Sequence, residues 1–265
     1  IAGRTAIVTG AAHGIGLAIA RHFVDQGANV MFADMDEDRL RDEVGEEARA
    51  EGPVRLFGGD LRQKLTIANL LSATIDAFDR VDILVNASRQ CMPSDPLSAE
   101  DDSMEVMLQQ NLMISLRLSQ LAARRMLAEA DRTGNGEGQV GAIVNLSSIA
   151  ALRTQPTLMA YSVACAALDQ MTRSLAVALA PRRIRVNAVA FGSVMSASLR
   201  GWLREHPEAR EPIQSATPLG RIASPGEVAE AVQFLASEGA GFVTGQVLTI
   251  DGGRSLIDAV AAPAH

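Results

Sequence analysis

Three side chains that could carry out polar chemistry fall in one short region of the chain. Ser148 closes a strand-like run that begins at Gly141, and Tyr161 stands near the start of a long apolar helix pattern. Because positions i and i+4 share one face of a helix, Tyr161 and Cys165 face the same side. A serine and a tyrosine delivered to one cleft can hydrogen-bond a carbonyl and exchange a proton with it. This is the polar chemistry that a hydride transfer requires.

A glycine-rich turn near the N terminus has the form of a dinucleotide-binding loop. It follows the strand-like run Thr5–Thr9 and leads into a helix-like pattern. Glycines permit a tight turn and let the main chain approach a pyrophosphate, whose negative charge favours the N-terminus of a helix. The strand, loop and helix in succession make the signal specific. We expect cofactor contacts from Gly10, His13, Gly14, Ile15 and Gly16.

The residue at the end of the second predicted strand favours one dinucleotide over another. Asp34 stands there, and its carboxylate can accept hydrogen bonds from both ribose hydroxyls of adenosine. The same carboxylate would repel a 2′-phosphate. Neither Met35 nor His13 is an arginine or a lysine, the residues that accommodate that phosphate. We therefore expect contacts from Asp34 and Met35, and we predict NAD as the cofactor, with NADP less favoured.

The composition predicts a soluble α/β protein and excludes some partners. The chain has 265 residues, 48% of them hydrophobic, and a formal net charge of −7. That balance disfavours nucleic acid or an anionic membrane as the main partner. No apolar run approaches the ~20 residues of a membrane span, and no signal-like segment opens the sequence. The two cysteines form no disulfide framework, so we expect a cytoplasmic protein, and we predict no metal site.

Short β-rich runs alternate with amphipathic helical stretches, which indicates βαβ units. We expect a Rossmann-type, doubly wound sheet of about seven parallel strands with helices on both faces, in a single domain over residues 1–265. The predicted strands are Thr5–Thr9, Asn29–Ala33, Val54–Phe57, Ile83–Asn86, Gly141–Leu146, Ile184–Ala190 and Val247–Asp251. Ser224 and Glu227 form a capping box that predicts a helix start. The glycine-rich stretch 132–138 predicts a surface excursion.

Nearly the whole chain resembles the short-chain dehydrogenase/reductase family. The loop spacing Gly-x-x-x-Gly-x-Gly, the segment Asn187–Gly192 and the run Asp251–Gly253 carry the resemblance. The resemblance implies three catalytic residues: Asn111 anchors a proton-relay water, Ser148 binds the carbonyl, and Tyr161 is the acid/base. It also implies cofactor contacts from Asp60, Leu61, Asn86, Ala87, Ser88, Tyr161, Gly192, Val194 and Ser196.

Two of the segments implied by the resemblance leave alternatives open. Asp60 contacts adenine in the family, but a helix N-cap is a compatible reading. The family's variable substrate lid corresponds to residues of about 193–216. Leu199, Trp202 and Leu203 give this lid an apolar stripe that could line a substrate pocket or pack on the protein or on a neighbouring subunit.

The chain departs from the family pattern at three positions near the predicted site. The family motif reads Tyr-x-x-x-Lys, and the lysine position is Cys165. Arg89 stands where relatives have a glycine after the fourth strand, and Phe191 stands where they have a proline. Cys165 could be an apolar filler, a loss compensated by another cation, or a reactive thiol. Arg89 is the candidate compensating cation, or else a surface side chain that points away from the cofactor.

These features predict an NAD-dependent oxidoreductase that acts on a secondary alcohol or ketone, slowed or re-tuned by the loss of the lysine. The alternative is a non-catalytic dinucleotide-binding or scaffolding protein, and a lyase-like or epimerase-like activity is a weaker third hypothesis. The helix patterns over Ser98–Ala128 and Pro156–Ala180 are apolar over much of their surface. Relatives pair these helices across a two-fold axis, so we expect a homotetramer, with a dimer as the alternative.

Overall fold

Seven parallel β-strands lie side by side in the order β3-β2-β1-β4-β5-β6-β7. This is the arrangement in a computed structural model that describes residues 1–49, 51–134 and 138–258. The strands are β1 (Thr5–Thr9), β2 (Asn29–Asp34), β3 (Val54–Gly58), β4 (Ile83–Asn86), β5 (Gly141–Ser148), β6 (Ile184–Phe191) and β7 (Val247–Ile250). The seven predicted strands and the doubly wound fold class are confirmed.

Helices flank the sheet on both faces. They are α1 (Gly14–Asp25), α2 (Glu37–Arg49), α3 (Lys64–Phe78), α4 (Ser103–Met107), α5 (Ile114–Thr133), α6 (Met159–Leu179), α7 (Ala197–Glu205), α8 (Arg210–Ser215) and α9 (Pro225–Ala236). A π-helical segment, Leu108–Met113, joins α4 to α5. The predicted capping box is present at the start of α9, where Ser224 and Glu227 bond each other's main chain. The glycine-rich stretch 132–138 lies partly outside the described residues.

Alternate residues of each strand pack on opposite faces of the sheet. Val8 and Phe32 contact the cluster that includes α1 and α9, whereas Ile7 and Met31 contact the cluster that includes α3 and α5. Successive side chains of a strand point to opposite faces, and here both faces are covered. The strands therefore read as continuous apolar runs, and their carboxyl ends all open at one edge.

The predicted helix over Ser98–Ala128 is wrong in two respects. The α-helix begins only at Ser103, because the carboxylates of Asp95 and Asp101 accept main-chain N–H groups from residues two positions further on and hold turns there. The helix is also interrupted by the π-helical segment. The second predicted helix, over Pro156–Ala180, is present as α6 with a short 3₁₀ turn at Pro156–Leu158.

One stretch among the described residues, Pro156–Arg182, is long and apolar enough to cross a membrane by length and composition alone. The sequence-based expectation that no apolar run approaches a membrane span is therefore wrong for this stretch. Core helices meet the same criterion, and α6 contacts both β5 and β6 and buries the polar side chains of Asp169 and Thr172.

A chain of buried polar side chains runs along one face of the sheet, from α5 to α6. The Asn86 amide on β4 donates to Ser119 Oγ at 3.0 Å and to Asn145 Oδ1 at 2.7 Å. The Asn145 amide on β5 donates in turn to Thr172 Oγ1 on α6 at 2.9 Å. All four residues are buried. These hydrogen bonds connect both helices to the strands that end at the candidate site.

Candidate active site

The predicted site residues gather at the carboxyl edge of the sheet. Asp34, Asn86, Ser148 and Phe191 are each the last residue of a strand, on β2, β4, β5 and β6 respectively. Because these strands are parallel, their last residues meet at the same edge. The strand order reverses between β1 and β4, and such a switch point is where doubly wound sheets bind ligands.

In the glycine loop between β1 and α1, main-chain segments lie so close together that a side chain at Gly10 or Gly16 would prevent their contact. Gly10 has φ of 67°, and a Cβ there would lie 2.8 Å from the Ala87 carbonyl oxygen. A Cβ on Gly16 would lie 2.1 Å from the Gly10 carbonyl oxygen. Helix α1 begins at Gly14, and its N-cap residue His13 provides no side-chain hydrogen bond. The first N–H groups of a helix have no intrahelical partner, and since the N-cap side chain does not bond them here, they suit a phosphate.

Asp34 lies beside this loop and is held by it. Its Oδ2 accepts the Ala12 N–H at 3.1 Å, and its Oδ1 accepts the Asp36 N–H at 3.1 Å. Met35 is exposed between them. The carboxylate is thus fixed at the end of β2 and keeps lone pairs for further hydrogen bonds. Together with the glycine loop, this arrangement fits the adenosine and pyrophosphate of a dinucleotide.

Several other predicted cofactor contacts use their side chains within the protein. Asp60 forms a bidentate pair with Arg62, and these hydrogen bonds lower the pKa of Asp60 below its usual range. Asp60 does not cap α3, whose N-cap is Gln63. Ser196 caps α7 by accepting the Leu199 N–H at 3.2 Å.

The other predicted contacts are distributed between the interior and the cleft edge. Leu61, Ala87 and Val194 are buried, whereas Ser88 and Gly192 are half-buried. The side chain of Asn86 is used in the polar chain between α5 and α6, as described above. The structure thus brings the loop after β4 and the end of β6 to the same edge as the glycine loop.

Tyr161 and Cys165 lie one helical turn apart in an apolar cluster. Each is 3% exposed, and they pack with Met107, Ala160 and Ala164. The Tyr161 hydroxyl is buried and has no hydrogen-bond partner among the described residues. A buried polar group without a partner costs about 1–3 kcal/mol, so such a group in a native protein calls for a ligand or a functional reason.

Ser148 is positioned at the end of β5, one residue before a short 3₁₀ turn that packs against α6. Its hydroxyl accepts the Ala150 N–H at 3.2 Å. Since a hydroxyl has one proton to donate and two lone pairs, Ser148 keeps its donor for another oxygen.

The Arg89 side chain points into the site and not to the surface. Its guanidinium carbon lies 5.2 Å from the centre of the Tyr161 ring and 4.4 Å from the centre of the Phe191 ring. One of its amino groups donates to the Ser147 carbonyl oxygen at 3.2 Å. The surface alternative for Arg89 is therefore wrong. Burial lowers the pKa of Arg89, although a guanidinium stays charged in proteins.

Asn111 fixes the loop that carries Arg89. It lies in the π-helical segment, a rare conformation that often marks functional sites. Its Oδ1 accepts the Gln90 N–H and its Nδ2 donates to the Gln90 carbonyl oxygen, both at 2.8 Å. The side-chain amide is thus bonded to the residue next to Arg89.

Sequence reasoning missed Thr9 as a site residue. Its hydroxyl oxygen accepts the N–H groups of both Ala87 and Ser88 at 3.0 Å, which fixes the start of the same loop. A buried threonine that ends a strand next to the glycine loop was the available signal.

The second missed residue is Asp169, one helical turn beyond Cys165. It is buried, and burial raises its pKa, an effect that the charge of Arg173 opposes. An acid at i+8 from Tyr161 in an apolar helix was the signal.

The protonation state of Cys165 bears on its role. Burial raises the pKa of its thiol to about 12, although the charge of Arg89 acts in the opposite direction. The thiol is therefore neutral near pH 7. Since the thiolate is the reactive form, this favours an apolar filler over a nucleophile.

The predicted lid contains α7 and α8. Its apolar stripe is only partly covered: Leu203 is buried, whereas Trp202 is 45% exposed. The Trp202 ring stacks on His206 with 4.5 Å between the ring centres. An exposed aromatic surface on the predicted lid suits either a substrate or a neighbouring subunit, the two alternatives that the sequence left open.

Comparison with known proteins places this geometry in a family. Residues 10–255 match the family model described as enoyl-(acyl carrier protein) reductase. The chain is 36% identical to cis-4-hydroxycyclohexanecarboxylate dehydrogenase of Sinomonas cyclohexanicum, over 96% of this chain and 97% of that one. It is 31% identical to the 3-oxoacyl-[acyl-carrier-protein] reductase FabG of Thermotoga maritima, over 95% and 97% respectively. The crystal structure of gox2181 superposes with a TM-score of 0.86 and 32% identity over 97% of each chain.

Proposed function

The chain belongs to the short-chain dehydrogenase/reductase family, and from this premise we propose that it is an NAD-dependent oxidoreductase that interconverts a secondary alcohol and a ketone. The observation that carries the proposal is the Tyr161 hydroxyl. It is buried at the carboxyl edge of the sheet without a hydrogen-bond partner among the described residues, and a substrate oxygen would supply that partner.

Each polar residue has one role in this proposal. Ser148 donates its free proton to the substrate oxygen and holds it in place. Tyr161 accepts the alcohol proton during oxidation and returns it during reduction. The Asn111 side chain holds the Gln90 main chain, so it fixes the loop after β4. The glycine loop and Asp34 would hold the dinucleotide, which supplies the hydride acceptor when bound.

Position 165 sets the expected rate. The resemblance places a lysine there, whose ammonium favours the tyrosine phenolate and bonds the ribose, whereas this chain has a neutral thiol. General acid–base catalysis contributes roughly 10²–10⁴-fold, and part of that depends on how readily the phenol ionises. Turnover is therefore slow or re-tuned relative to relatives that keep the lysine.

NAD is the preferred cofactor because the Asp34 carboxylate would face the 2′-phosphate of NADP. The carboxylate is fixed by two main-chain N–H groups and cannot swing away without losing both. A buried like-charge contact costs affinity, whereas two ribose hydroxyls would donate to the same oxygens.

The printed names of two relatives support an alcohol or ketone substrate. One is a dehydrogenase of a hydroxycyclohexanecarboxylate, and the other is a reductase of a 3-oxoacyl group. Both cysteines are free thiols, which supports a reducing, cytoplasmic location. A homotetramer is the proposed assembly, with a dimer as the alternative.

The test is turnover of a panel of secondary alcohols with NAD, and of ketones with NADH, beside a calorimetric titration of each cofactor. Tyr161→Phe should reduce turnover by roughly 10²–10⁴-fold, because it removes the group that transfers the proton. Ser174→Ala, an exposed hydroxyl on the same helix, is the control and should have no effect. Turnover that is unchanged in Tyr161→Phe would reject the proposed mechanism.

One observation favours a second candidate, a non-catalytic dinucleotide-binding protein. The Tyr161 hydroxyl is closed off from water, so a substrate oxygen reaches it only if the apolar cluster around it opens. NAD binding without turnover of any substrate in the panel would favour this second function.

A further inference from the structure

We propose that Arg89 supplies the positive charge that stabilises the Tyr161 phenolate, in place of the lysine that the family pattern sets at position 165. This inference rests on the proposed acid–base role of Tyr161. It assigns a role to a residue outside the family's catalytic set. Arg89 reaches the tyrosine from the loop after β4, whereas position 165 lies on the same helix as the tyrosine.

The geometry places the guanidinium against the tyrosine ring. Its carbon is 5.2 Å from the Tyr161 ring centre, and the Phe191 ring lies 4.4 Å away on β6. A cation within ~6 Å of an aromatic ring is attracted to its face, and the attraction grows when the ring becomes a phenolate. The contact to the Ser147 carbonyl brings Arg89 next to Ser148 as well.

The charge of Arg89 has no carboxylate partner among the described residues. Among the described residues, its guanidinium contacts two aromatic rings and donates to one carbonyl oxygen. A buried charge is costly unless it is paired. A phenolate at Tyr161 would supply the missing counter-charge. The contact that pairs the charge of Arg89 would therefore also favour ionisation of the tyrosine.

The loop that carries Arg89 is fixed on both sides of it. The Thr9 hydroxyl oxygen accepts two N–H groups before Arg89, and the Asn111 amide bonds the Gln90 main chain after it. A charge held in one place costs no reorganisation when the proton moves. The polar contacts of Thr9 and Asn111 therefore support the position of this cation.

The three departures from the family pattern meet in space. Arg89 packs on Phe191, and its charge acts on the thiol of Cys165. These residues come from the loop after β4, the end of β6 and the second turn of α6. An arginine at position 89 needs room that a lysine at position 165 would occupy, and it needs a surface on which to lie. Cysteine provides the room, and phenylalanine provides the surface.

Few other titratable groups act at this end of α6. On α6 itself are Cys165, which is neutral, and Asp169, which lies two turns from Tyr161. Glu105 on α4 is exposed. Arg185 on β6 is bonded to the carbonyl oxygens of Leu235 and Ser237. Cys91, near Arg89, is exposed. Arg89 is thus the cation in direct contact with the Tyr161 ring.

The test uses the fact that Tyr161 is the only tyrosine in the chain. The near-ultraviolet absorbance of phenolate therefore reports the ionisation of this one residue, with no assay of activity. Arg89→Met should move the titration midpoint of Tyr161 upward by about 1–3 pH units, the effect of one neighbouring opposite charge. Arg89→Lys should keep the midpoint near that of the wild type.

Four further variants make the result specific. Tyr161→Phe should abolish the signal, which assigns it. Arg117→Met removes an arginine on α5 and should leave the midpoint unchanged. Cys165→Lys added to Arg89→Met should return the midpoint toward the wild-type value, because the charge is restored from the other side. Circular dichroism at each pH identifies folded samples, and Arg89→Gln provides a second neutral variant.

The outcomes separate this inference from the proposed function. A midpoint that does not move in Arg89→Met or Arg89→Gln would overturn the inference, even if the wild type oxidises alcohols. If the midpoint does not move in the Arg89 variants but their KM for anionic substrates rises, Arg89 binds substrate. That result would also overturn the inference. A midpoint that moves while the pH–rate profile does not would support the inference and contradict the acid–base role of Tyr161.

Discussion

The guanidinium carbon of Arg89 lies 4.4 Å from the centre of the Phe191 ring, so the end of β6 provides a surface for a side chain that starts beyond β4. Cation–π contacts of this kind contribute about 0.5–2 kcal/mol. Phe191→Leu keeps the apolar volume but removes the ring face. It should release Arg89 partly and raise the Tyr161 titration midpoint, by less than Arg89→Met does. Phe78→Leu removes a comparable contact with Arg55 remote from the site and should leave that midpoint unchanged.

Cys165→Lys should raise turnover most when Arg89 is absent. In an Arg89→Gly background the new ammonium would reach the tyrosine without a repelling neighbour, and we expect a gain of roughly 10–1,000-fold over Arg89→Gly alone. In the wild-type background the gain should be smaller, because two buried cations would meet. The measurement is the pH–rate profile of all four proteins on one substrate. Equal gains in both backgrounds would show that Arg89 and position 165 do not interact.

Cofactor preference should depend on Asp34. We expect NAD(H) to bind more tightly than NADP(H), and Asp34→Ala should narrow the gap by at least tenfold, since it removes the charge that faces the 2′-phosphate. Asp38→Ala removes an exposed acid from the next helix and is the control. Isothermal titration calorimetry gives both affinities. Tighter binding of the phosphorylated cofactor by the wild type would contradict the assignment.

The two cysteines should differ in reactivity. With a pKa of about 12, the Cys165 thiol is ionised in about 1 molecule in 10⁴ at pH 8, and it is buried as well. Iodoacetamide should therefore modify the exposed Cys91 first, by on the order of 100-fold in rate. Labelling of Cys165 should rise with pH, about tenfold per unit below pH 12. Peptide mapping distinguishes the sites, Cys91→Ser removes the fast phase, and the unfolded protein should label at both. Equal rates in the folded protein would contradict a buried, neutral Cys165.

Assembly should depend on the outer face of α6. Val177 on this helix is 78% exposed, a large apolar side chain without cover in a single chain. If the proposed tetramer forms through this face, Val177→Asp should yield smaller species in light scattering, because burying a charge in an apolar interface costs several kcal/mol. Leu65→Asp, at a 72% exposed position on α3, is the matched control. A wild type that is monomeric at micromolar concentration would contradict the assembly itself.

The fold could be predicted because its signals are local. Each strand is a short apolar run bounded by turn residues, and the glycine loop and the Ser224 capping box have fixed spacings. The start of α4 could not be predicted, because side chains such as Asp101 compete with the helix for main-chain N–H groups. The π-helical segment around Asn111 has no periodic signature either.

Some residues of the candidate site could likewise be predicted from the sequence, and others could not. Ser148 and Asp34 follow from where their strands end, and Tyr161 follows from where its helix begins, both of which the sequence indicates. The direction of Arg89 does not, since a long side chain has many rotamers and its choice is made by Phe191, which lies far along the chain. The role of Thr9 depends on main-chain groups of a different loop, and no spacing within its own strand encodes that contact.

The polar chain between α5 and α6 also affects the orientation of the Tyr161 side chain. Thr172 lies about three turns beyond Tyr161 on nearly the same side of α6, and it accepts a hydrogen bond from Asn145 on β5. Apolar contacts tolerate a helix that rolls by several degrees about its axis, whereas a hydrogen bond is directional and resists such a roll. The angular setting of the phenol is thus constrained by the Asn145 amide, which bonds the helix about three turns away from Tyr161.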